Sequence, residues 1–372
     1  CNGCSESWFL YDCRDCQNCF GCIGLRSKQY NIFNTPYTQE EYQKKISEYQ
    51  LGTRAGFARA LKEADAFIET QPHAFARILK SQDVTGDDIQ GCSNLENCFD
   101  MSEACENVAH SMFAAGKSVD CVDSVIMVEN SSLIGNSMGI PGGYHIIGGN
   151  ICWFDKDVCY SHFVVTSQNC FGCISLNKKQ YCILNKQYSK EEYEELSGKI
   201  VDQLKATDQW GRYFPRELSP FGYNESAAMD YFPLEKESAL VKGYRWQDNP
   251  PSTTGKETIQ QSVVPDAIID VEESLTKEIL SCDACHRNYK IIAGELRLYK
   301  SLGLPVPALC PLCRHFARMK RRNTRRLYHR QCMCEKADHD HASRCGVKFE
   351  TTYAPERPEI IYCEQCYQKE IV

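Results

Sequence analysis

One segment of the chain occurs twice, and this internal duplication constrains the fold more than any other feature of the sequence. The segment NCFGCIGLRSKQYNIFNTPYTQEEY begins at Asn18 and recurs from Asn169 as NCFGCISLNKKQYCILNKQYSKEEY, with 16 of the 25 positions identical. Each copy runs from a Cys-rich stretch into a hydroxyl residue, Thr38 or Ser189, that is followed by acidic residues. A hydroxyl N-cap with acids in the first turn predicts the start of a helix. The chain therefore contains two related units that end in the same way.

Between the two copies, residues 91–182 combine short β-prone stretches with small polar residues and with Cys at intervals of six to nine residues. This spacing favours a β-solenoid, in which each coil stacks on the next and Gly and Asn occupy the corners. A reduced thiol behaves as a small hydrophobe, so Cys fits a narrow core. An antiparallel β-sandwich with buried Cys is the alternative.

Four cysteines near the start of the chain, from Cys13 to Cys22, are each separated by two residues. The spacing is similar to that of bacterial ferredoxins, but the last gap is shorter than theirs and no Pro follows. The second copy of the duplicated segment keeps only Cys170 and Cys173. Since a cluster needs all its ligands and a packed ladder tolerates losses, we expect packing here, with zinc and then an iron–sulfur cluster as alternatives.

Two C-x-x-C pairs, Cys282 with Cys285 and Cys310 with Cys313, stand in the C-terminal part of the chain. Two such pairs at this separation are the sequence form of a four-thiolate zinc site. Four thiolates leave no position for water, so the site is expected to be structural. Two disulfides are the alternative. A haem attachment at C-x-x-C-His286 is disfavoured because no axial partner is indicated.

A second cluster offers five sulfurs for a site that needs four: Cys332, Cys334, Cys345, Cys363 and Cys366. We expect Cys334 and Cys345 to complete the site with the final C-x-x-C pair, and Cys332 to be the competing ligand. The loop between them contains His339 and His341. We expect these histidines to be exposed, with a second metal as the alternative.

The C-terminal residues 275–372 resemble the tandem zinc-ribbon tail of uncharacterised Cys-rich repeat proteins from candidate-phyla bacteria. The matching stretches are YKIIAGELRLYKSLGLPVPALCPLCRHFAR and FETTYAPERPEIIYCEQCY, and further upstream NCFGCISLNKKQYCILNKQYSKEEYEEL and FPRELSPFGYNE. The resemblance implies zinc binding and a Cys-rich repeat body, and it implies no established activity.

One strongly basic segment stands out in an acidic chain. Residues 314–330, RHFARMKRRNTRRLYHR, contain eight Lys and Arg and no acid, whereas the whole chain has a formal net charge of −7. We call this segment the basic arm.

The charge asymmetry between the basic arm and the rest of the chain predicts contact with a polyanion, here RNA including ribosomal RNA. The candidate contact residues are Arg318, Lys320, Arg321, Arg322, Arg325 and Arg326. The alternatives are a contact with the acidic body of the same chain and a solvated helix face.

The sequence contains none of the usual nucleotide-binding, hydrolase or metalloprotease motifs, so we expect a protein that is not an enzyme. The predicted function is a zinc-binding scaffold or binding protein, with two structural Zn²⁺ ions, that contacts RNA or the ribosome through the basic arm. Alternatives are a structural protein that self-assembles through the solenoid ends and, less favoured, an iron–sulfur or thiol redox protein. No small-molecule substrate is identified.

Localisation follows from sulfur chemistry and hydropathy. No apolar run approaches the roughly 18 residues that a transmembrane helix needs, so no membrane partner is expected. Many thiols together with zinc favour a reducing cytoplasm. Because the chain begins with Cys1 and not with Met, we expect that residues precede it, and secretion stays open.

The predicted fold class is mainly β with helical appendages, comprising a Cys-rich β-solenoid body and two C-terminal zinc ribbons. The predicted segments are 1–37, the end of a truncated solenoid; 38–90, a helical insertion; 91–187, the β-solenoid; 188–274, a helical and Pro-containing connector; 275–330, the first zinc ribbon with the basic arm; and 331–372, the second zinc ribbon.

Overall fold

The computed structural model describes residues 1–371 and is mainly β with several helices, which confirms the coarse fold class. The N-terminal unit contains β1 (Gln17–Phe20), β2 (Gln29–Ile32), β3 (Thr35–Pro36), α1 (Gln39–Tyr49) and α2 (Arg54–Glu69). β1 and β2 pair in parallel, with Gln17 opposite Gln29. β3 then turns back antiparallel to β2. Strands resume at Pro72, inside the segment that the sequence predicted as helical.

The middle of the chain consists almost entirely of short strands. They are β4 (Pro72–Ala74), β5 (Ile78–Leu79), β6 (Gln82–Gln90), β7 (Ser93–Ser102), β8 (Glu106–Ala109), β9 (Met112–Ala114), β10 (Val119–Val122), β11 (Val125–Val128), β12 (Ser132–Gly135), β13 (Met138–Pro141), β14 (Tyr144–Ile147), β15 (Asn150–Trp153), β16 (Lys156–Cys159), β17 (His162–Val165), β18 (Gln168–Phe171), β19 (Gln180–Ile183) and β20 (Lys186–Gln187).

These strands form two parallel ladders. The even-numbered strands from β8 to β18 pair in series, the odd-numbered strands from β9 to β17 do the same, and β7 pairs with both β8 and β9. Val119 lies opposite Ser132 early in the stack, and Ser132 lies opposite Tyr144 in the next layer, so the repeat shortens by one residue along the chain. Each repeat contributes one strand to each ladder.

A three-residue backbone period underlies these repeats. Every third residue from Glu6 to Phe33, and again from Leu133 to Leu184, has a positive φ. From residue 134 to residue 173 the residue after each of these bends points inward, so every third residue there is buried. These inward residues are Ile134, Ser137, Ile140, Gly143, Ile146, Gly149, Cys152, Asp155, Val158, Ser161, Val164, Ser167, Cys170 and Cys173. Apolar and small residues alternate along most of this series, which keeps the core narrow.

Inward cysteines donate hydrogen bonds to backbone carbonyls. The Sγ atom of Cys13 lies 3.4 Å from the carbonyl oxygen of Tyr11 and 3.5 Å from that of Cys22. The next three cysteines, through Cys22, repeat this pattern toward carbonyls two residues before and nine residues after each of them. Burial raises the pKa of Cys13 to about 12, which keeps the thiol protonated and able to donate. This run packs as a ladder with Leu10 and Leu25.

The two duplicated segments end in the same way in three dimensions. The side chain of Asn34 accepts a hydrogen bond from Ile23 N at 3.0 Å and donates one to its carbonyl oxygen at 2.8 Å. Asn185 makes both bonds to Ile174, each at 2.8 Å. The helix that follows begins at a capping box, of which Thr38 is the first residue in the first unit. Ser189 has this role in the second unit. The predicted helix starts are confirmed.

The C-terminal part alternates short helices with hairpins. Its α-helices and strands are α3 (Lys190–Ala206), α4 (Ala228–Tyr231), α5 (Lys236–Val241), β21 (Leu280–Ser281), β22 (Asn288–Tyr289), α6 (Ala293–Leu302), α7 (Pro311–Met319), β23 (Tyr328–Gln331), β24 (Lys348–Thr351), β25 (Ile360–Tyr362) and α8 (Glu364–Gln368). Single 3₁₀ turns lie at Arg216–Leu218, Tyr223–Glu225, Gln261–Val263, Ile268–Asp270 and Glu273–Lys277. Among the described residues, every helix is too short or too polar to cross a bilayer.

The C-terminal part packs directly on the N-terminal part. β25 pairs in parallel with β4, with Ile361 opposite His73. The hydroxyl of Tyr367 in α8 donates to the carboxylate of Asp12 at 2.7 Å. We call residues 275–371 the C-terminal module; these contacts join it to β4 and to Asp12 of the N-terminal unit.

Asp155 is an exception within the narrow core, because it is a carboxylic acid at a position where Ser or Gly usually stands. It is 2% exposed, and its Oδ1 accepts from Ser167 N at 2.6 Å, while Oδ2 has no hydrogen-bond partner. Serines at neighbouring inward positions make the same bond, as when Ser137 Oγ accepts from Gly149 N at 2.9 Å. Burial raises the pKa of Asp155 to about 7, because the core disfavours the carboxylate.

Replacing Asp155 with Ser is therefore expected to change how stability depends on pH. The folded-state pKa lies above the unfolded value, so the wild type loses stability as the pH rises from about 4 to about 7, by up to about 4 kcal/mol. Asp155→Ser keeps the acceptor for Ser167 N and removes this loss. Urea unfolding between pH 5 and pH 8 measures the difference, with exposed Asp123→Ser as control. Parallel pH curves for wild type and Asp155→Ser would contradict a neutral Asp155.

Candidate metal centres

The first two C-x-x-C pairs come together in one group. The ligand atoms of Cys282, Cys285, Cys310 and Cys313 all lie within 4.8 Å of one another, and this group could hold a metal ion. The first pair lies in the turn between β21 and β22, and Cys310 is the N-cap of α7. The expected site is thus assembled, although its second pair begins a helix and not the second hairpin of a plain ribbon.

Backbone N–H groups face the sulfur of Cys282. The N–H of Cys310 donates to Cys282 Sγ at 3.2 Å. Burial raises the pKa of Cys282, but donors from Cys310, Cys285 and Ala284 outweigh burial and lower it to about 6. A thiolate is the form that binds metal, so this arrangement prepares the sulfur for a cation.

The second group contains Cys332 where the sequence favoured Cys334. The ligand atoms of Cys332, Cys345, Cys363 and Cys366 lie within 4.8 Å of one another, and all four residues are buried. Cys332 directly follows β23, and the N–H of Cys363 donates to its Sγ at 3.2 Å. Cys332 therefore completes this group in place of Cys334, because the hairpin turns Cys332 toward the other three sulfurs.

Cys334 belongs to a further group, which the sequence offered only as the alternative of a second metal at His339 and His341. The group contains Cys334, His339, His341 and Cys366, and their ligand atoms lie within 4.8 Å of one another. The side chain of His339 is only 5% exposed, so the expectation of an exposed loop histidine is wrong for this residue. The C-x-C spacing and the H-x-H spacing were the signals available in the sequence.

The Cys13 to Cys22 run does not form such a group among residues 1–371, where the groups of three or more ligand atoms are those just described. All 24 cysteines of the chain are free thiols in the structure.

The basic arm lies against acidic residues of the body. Arg321 binds both carboxylate oxygens of Asp65, at 3.0 Å and 2.6 Å. Arg325 pairs with Asp100, and Arg322 lies 3.7 Å from the same carboxylate. These pairs close one side of a cleft of about 510 Å³ between the arm and the body. Arg318, Lys320 and Arg326 are exposed.

Arg325 is the most deeply held residue of the arm. Its side chain is 4% exposed, and its guanidinium carbon lies 4.3 Å from the ring centre of Phe113 and 4.1 Å from that of Tyr231. Nε donates to Asp100 Oδ2 at 2.9 Å. Cation–π contacts with two rings, together with an ion pair at the edge, fix the arm to the body.

No protein-family model, curated protein or solved structure matches this chain. The resemblance to zinc-ribbon repeat proteins therefore stays a prediction.

Replacing Arg325 with Ala is expected to destabilise the fold by about 3 kcal/mol, because it leaves Asp100 without its closest cation in a half-buried position. Arg326→Ala, one residue away and exposed, is the matched control and should change stability by less than about 0.5 kcal/mol. Urea unfolding of both variants measures the difference. Equal unfolding midpoints for the two variants would show that the arm is not held by Arg325.

Proposed function

We propose that the protein is a non-enzymatic scaffold whose C-terminal module is held together by zinc. The observation that carries this proposal is the presence of two separate groups of four thiol sulfurs. In a regular tetrahedron with a Zn–S bond of about 2.3 Å, sulfurs are about 3.8 Å apart. Cys285 Sγ lies 3.7 Å from Cys310 Sγ, and Cys345 Sγ lies 3.9 Å from Cys363 Sγ. Both spacings fit four-thiolate zinc.

Zinc in these positions would be structural. Four thiolates fill its coordination shell, which leaves no site for water or substrate. Around the second group the buried core outside the ligands is small, since its other buried members are Tyr362 and Tyr367. The first group, by contrast, packs on an apolar cluster that includes Leu280, Ile291 and Leu296. At the second group a metal would make up for this small core, so that binding free energy becomes folding free energy.

The scaffold part is best described as a β-solenoid with two segments. Support comes from the parallel ladders, in which equivalent residues of successive repeats lie opposite each other, and from the inward side chain at every third position. Each repeat contacts mainly its neighbours, as in other stacked-repeat architectures. The metal-binding parts each combine a hairpin with a helix, so we propose zinc-binding modules related to ribbons and not plain paired-hairpin ribbons.

RNA or ribosome contact through the basic arm stays a prediction that the packing does not favour. Arg321, Arg322 and Arg325 face Asp65 and Asp100, so these ion pairs would have to open before phosphates bind. We propose instead that the basic arm holds the C-terminal module against the body through these ion pairs. Free thiols throughout support a reducing compartment such as the cytoplasm.

The test of this proposal is zinc content before and after removal of single sulfurs. We expect Cys310→Ser to lower the zinc content of the purified full chain by one ion per molecule. Cys159→Ser is the matched control, since this half-buried thiol of the repeats lies outside every ligand group of the described residues. Elemental analysis with thiol titration gives the result. A protein without zinc, or one in which the Cys282 and Cys310 pairs are cross-linked, would overturn the proposal.

Chelation of the full chain gives a second expected outcome. Loss of zinc should expose the region around β25 to protease and release it from β4, because the order of α8 and β25 depends on Cys363 and Cys366. Limited proteolysis followed by mass spectrometry locates the cuts. The same digestion pattern with and without chelator would contradict a structural role for the metal.

A further inference from the structure

The group formed by Cys334, His339, His341 and Cys366 has the composition of a metal site, and it shares one residue with the four-thiolate group beside it. We propose that Cys366 is a bridging thiolate and that the part of the chain after β23 holds two zinc ions. This inference rests on the proposed function, since the first of these two ions is the one already assigned to Cys332, Cys345, Cys363 and Cys366.

The distances fit a mixed sulfur and nitrogen shell. Cys334 Sγ lies 3.2 Å from His339 Nδ1, and Cys366 Sγ lies 3.5 Å from His341 Nε2. For tetrahedral zinc with bonds of about 2.3 Å to sulfur and about 2.05 Å to nitrogen, the S···N edge is about 3.6 Å. The side chains therefore need little movement to close around an ion.

The other ring nitrogen of each histidine lies near an oxygen atom. Nε2 of His339 lies 3.3 Å from Glu370 Oε1, and Nδ1 of His341 lies 2.5 Å from the carbonyl oxygen of Ser343. Metal-binding histidines usually donate their second N–H to a carboxylate or a carbonyl, which fixes the ring and the tautomer. His341 makes such a bond, whereas Glu370 Oε1 lies at ion-pair distance from His339 and makes no hydrogen bond.

The loop that carries the histidines is fastened to the residues just after α8. Lys336 Nζ lies 2.6 Å from Glu370 Oε1, and Lys369 Nζ lies 2.6 Å from Asp340 Oδ2. These pairs bring the H-x-H sequence close to the helix that contains Cys366. The residues inserted between Cys334 and Cys345 thus serve to supply two ligands.

Ligand charge favours a shared sulfur. A zinc ion with four thiolates carries a net charge of −2, which is costly in a buried site. A second zinc ion that adds one new thiolate and two neutral imidazoles brings the net charge of the pair to −1. The lower net charge matters here because the site is buried and solvent screens its charge little. The buried ligands include Cys332, Cys345 and Cys366.

Zinc stoichiometry of the full chain tests the inference. We expect three ions in the wild type, two in Cys334→Ser and His341→Ala, and one in Cys366→Ser, because removal of the shared sulfur opens both sites. His341→Cys should restore three ions, since a thiolate replaces the imidazole. His329→Ala is the matched control: this histidine lies on β23 of the same module, and its side chain is 89% exposed.

Replacement of zinc by Co²⁺ adds a spectroscopic readout for the shell with two nitrogens. The visible absorption of the His341→Ala protein should lose the component of the mixed shell and keep that of the four-thiolate shells. His341→Cys should shift this component toward that of a shell richer in sulfur.

The outcomes separate the two proposals. Two ions in the wild type, unchanged in Cys334→Ser and His341→Ala, would overturn the shared site and leave the proposed function intact. Three ions in His341→Ala would place the third ion elsewhere and overturn the inference. Loss of only one ion in Cys366→Ser would contradict the bridge. A wild type with no zinc would refute the proposed function itself.

Discussion

The narrow core of the repeats is the constraint on which the rest of the structure depends. A left-handed backbone conformation at every third residue turns the chain so sharply that most strands are only a few residues long. Only the residue after each bend points inward, and it faces its equivalents in the repeats before and after it. Large apolar residues such as Ile134 and Ile146 therefore alternate with compact side chains that also satisfy nearby backbone groups. Cys and Ser have both properties.

The same side chain has a different role in the C-terminal module, and its neighbours explain the difference. In the repeats, thiols face backbone carbonyls, which accept a hydrogen bond from the protonated form; burial raises the pKa of Cys152 to about 12. In the module, the sulfur of Cys282 faces backbone N–H groups, which favour the thiolate; these donors hold its pKa at about 6 against the effect of burial. The backbone groups around each sulfur thus favour a protonated thiol at Cys152 and a thiolate at Cys282.

Much of the architecture could be predicted where the signal is local. The helix starts at Thr38 and Ser189 follow from residues three apart, and the C-x-x-C pairs identify themselves by spacing alone. The three-residue period was missed because the inward positions alternate between apolar and small residues, and because the length of the repeat changes by one residue along the chain. The interval from Cys92 to Cys98, noted in the sequence, equals two of these periods.

Features that depend on distant partners could not be predicted from the sequence. Asp65 and Asp100 precede the arginines that they bind by more than half of the chain, so the contact of the basic arm with the body was only one alternative among several. The choice between Cys332 and Cys334 depends on which way one hairpin turns its last residues. The buried position of His339 depends on ion pairs between its loop and the end of the chain.

The caps at Asn34 and Asn185 have a consequence for how such a protein can vary in length. Each asparagine binds only the backbone of one residue in the preceding layer, and neither bond involves a particular side chain of the repeats. The hydrogen bonds of the terminating turn therefore do not depend on how many layers precede it. Adding or deleting a whole repeat upstream of β18 would leave both caps intact but would shift contacts such as that of Phe113 with Tyr231, so the length of the stack is limited by what packs along its side and not by its caps.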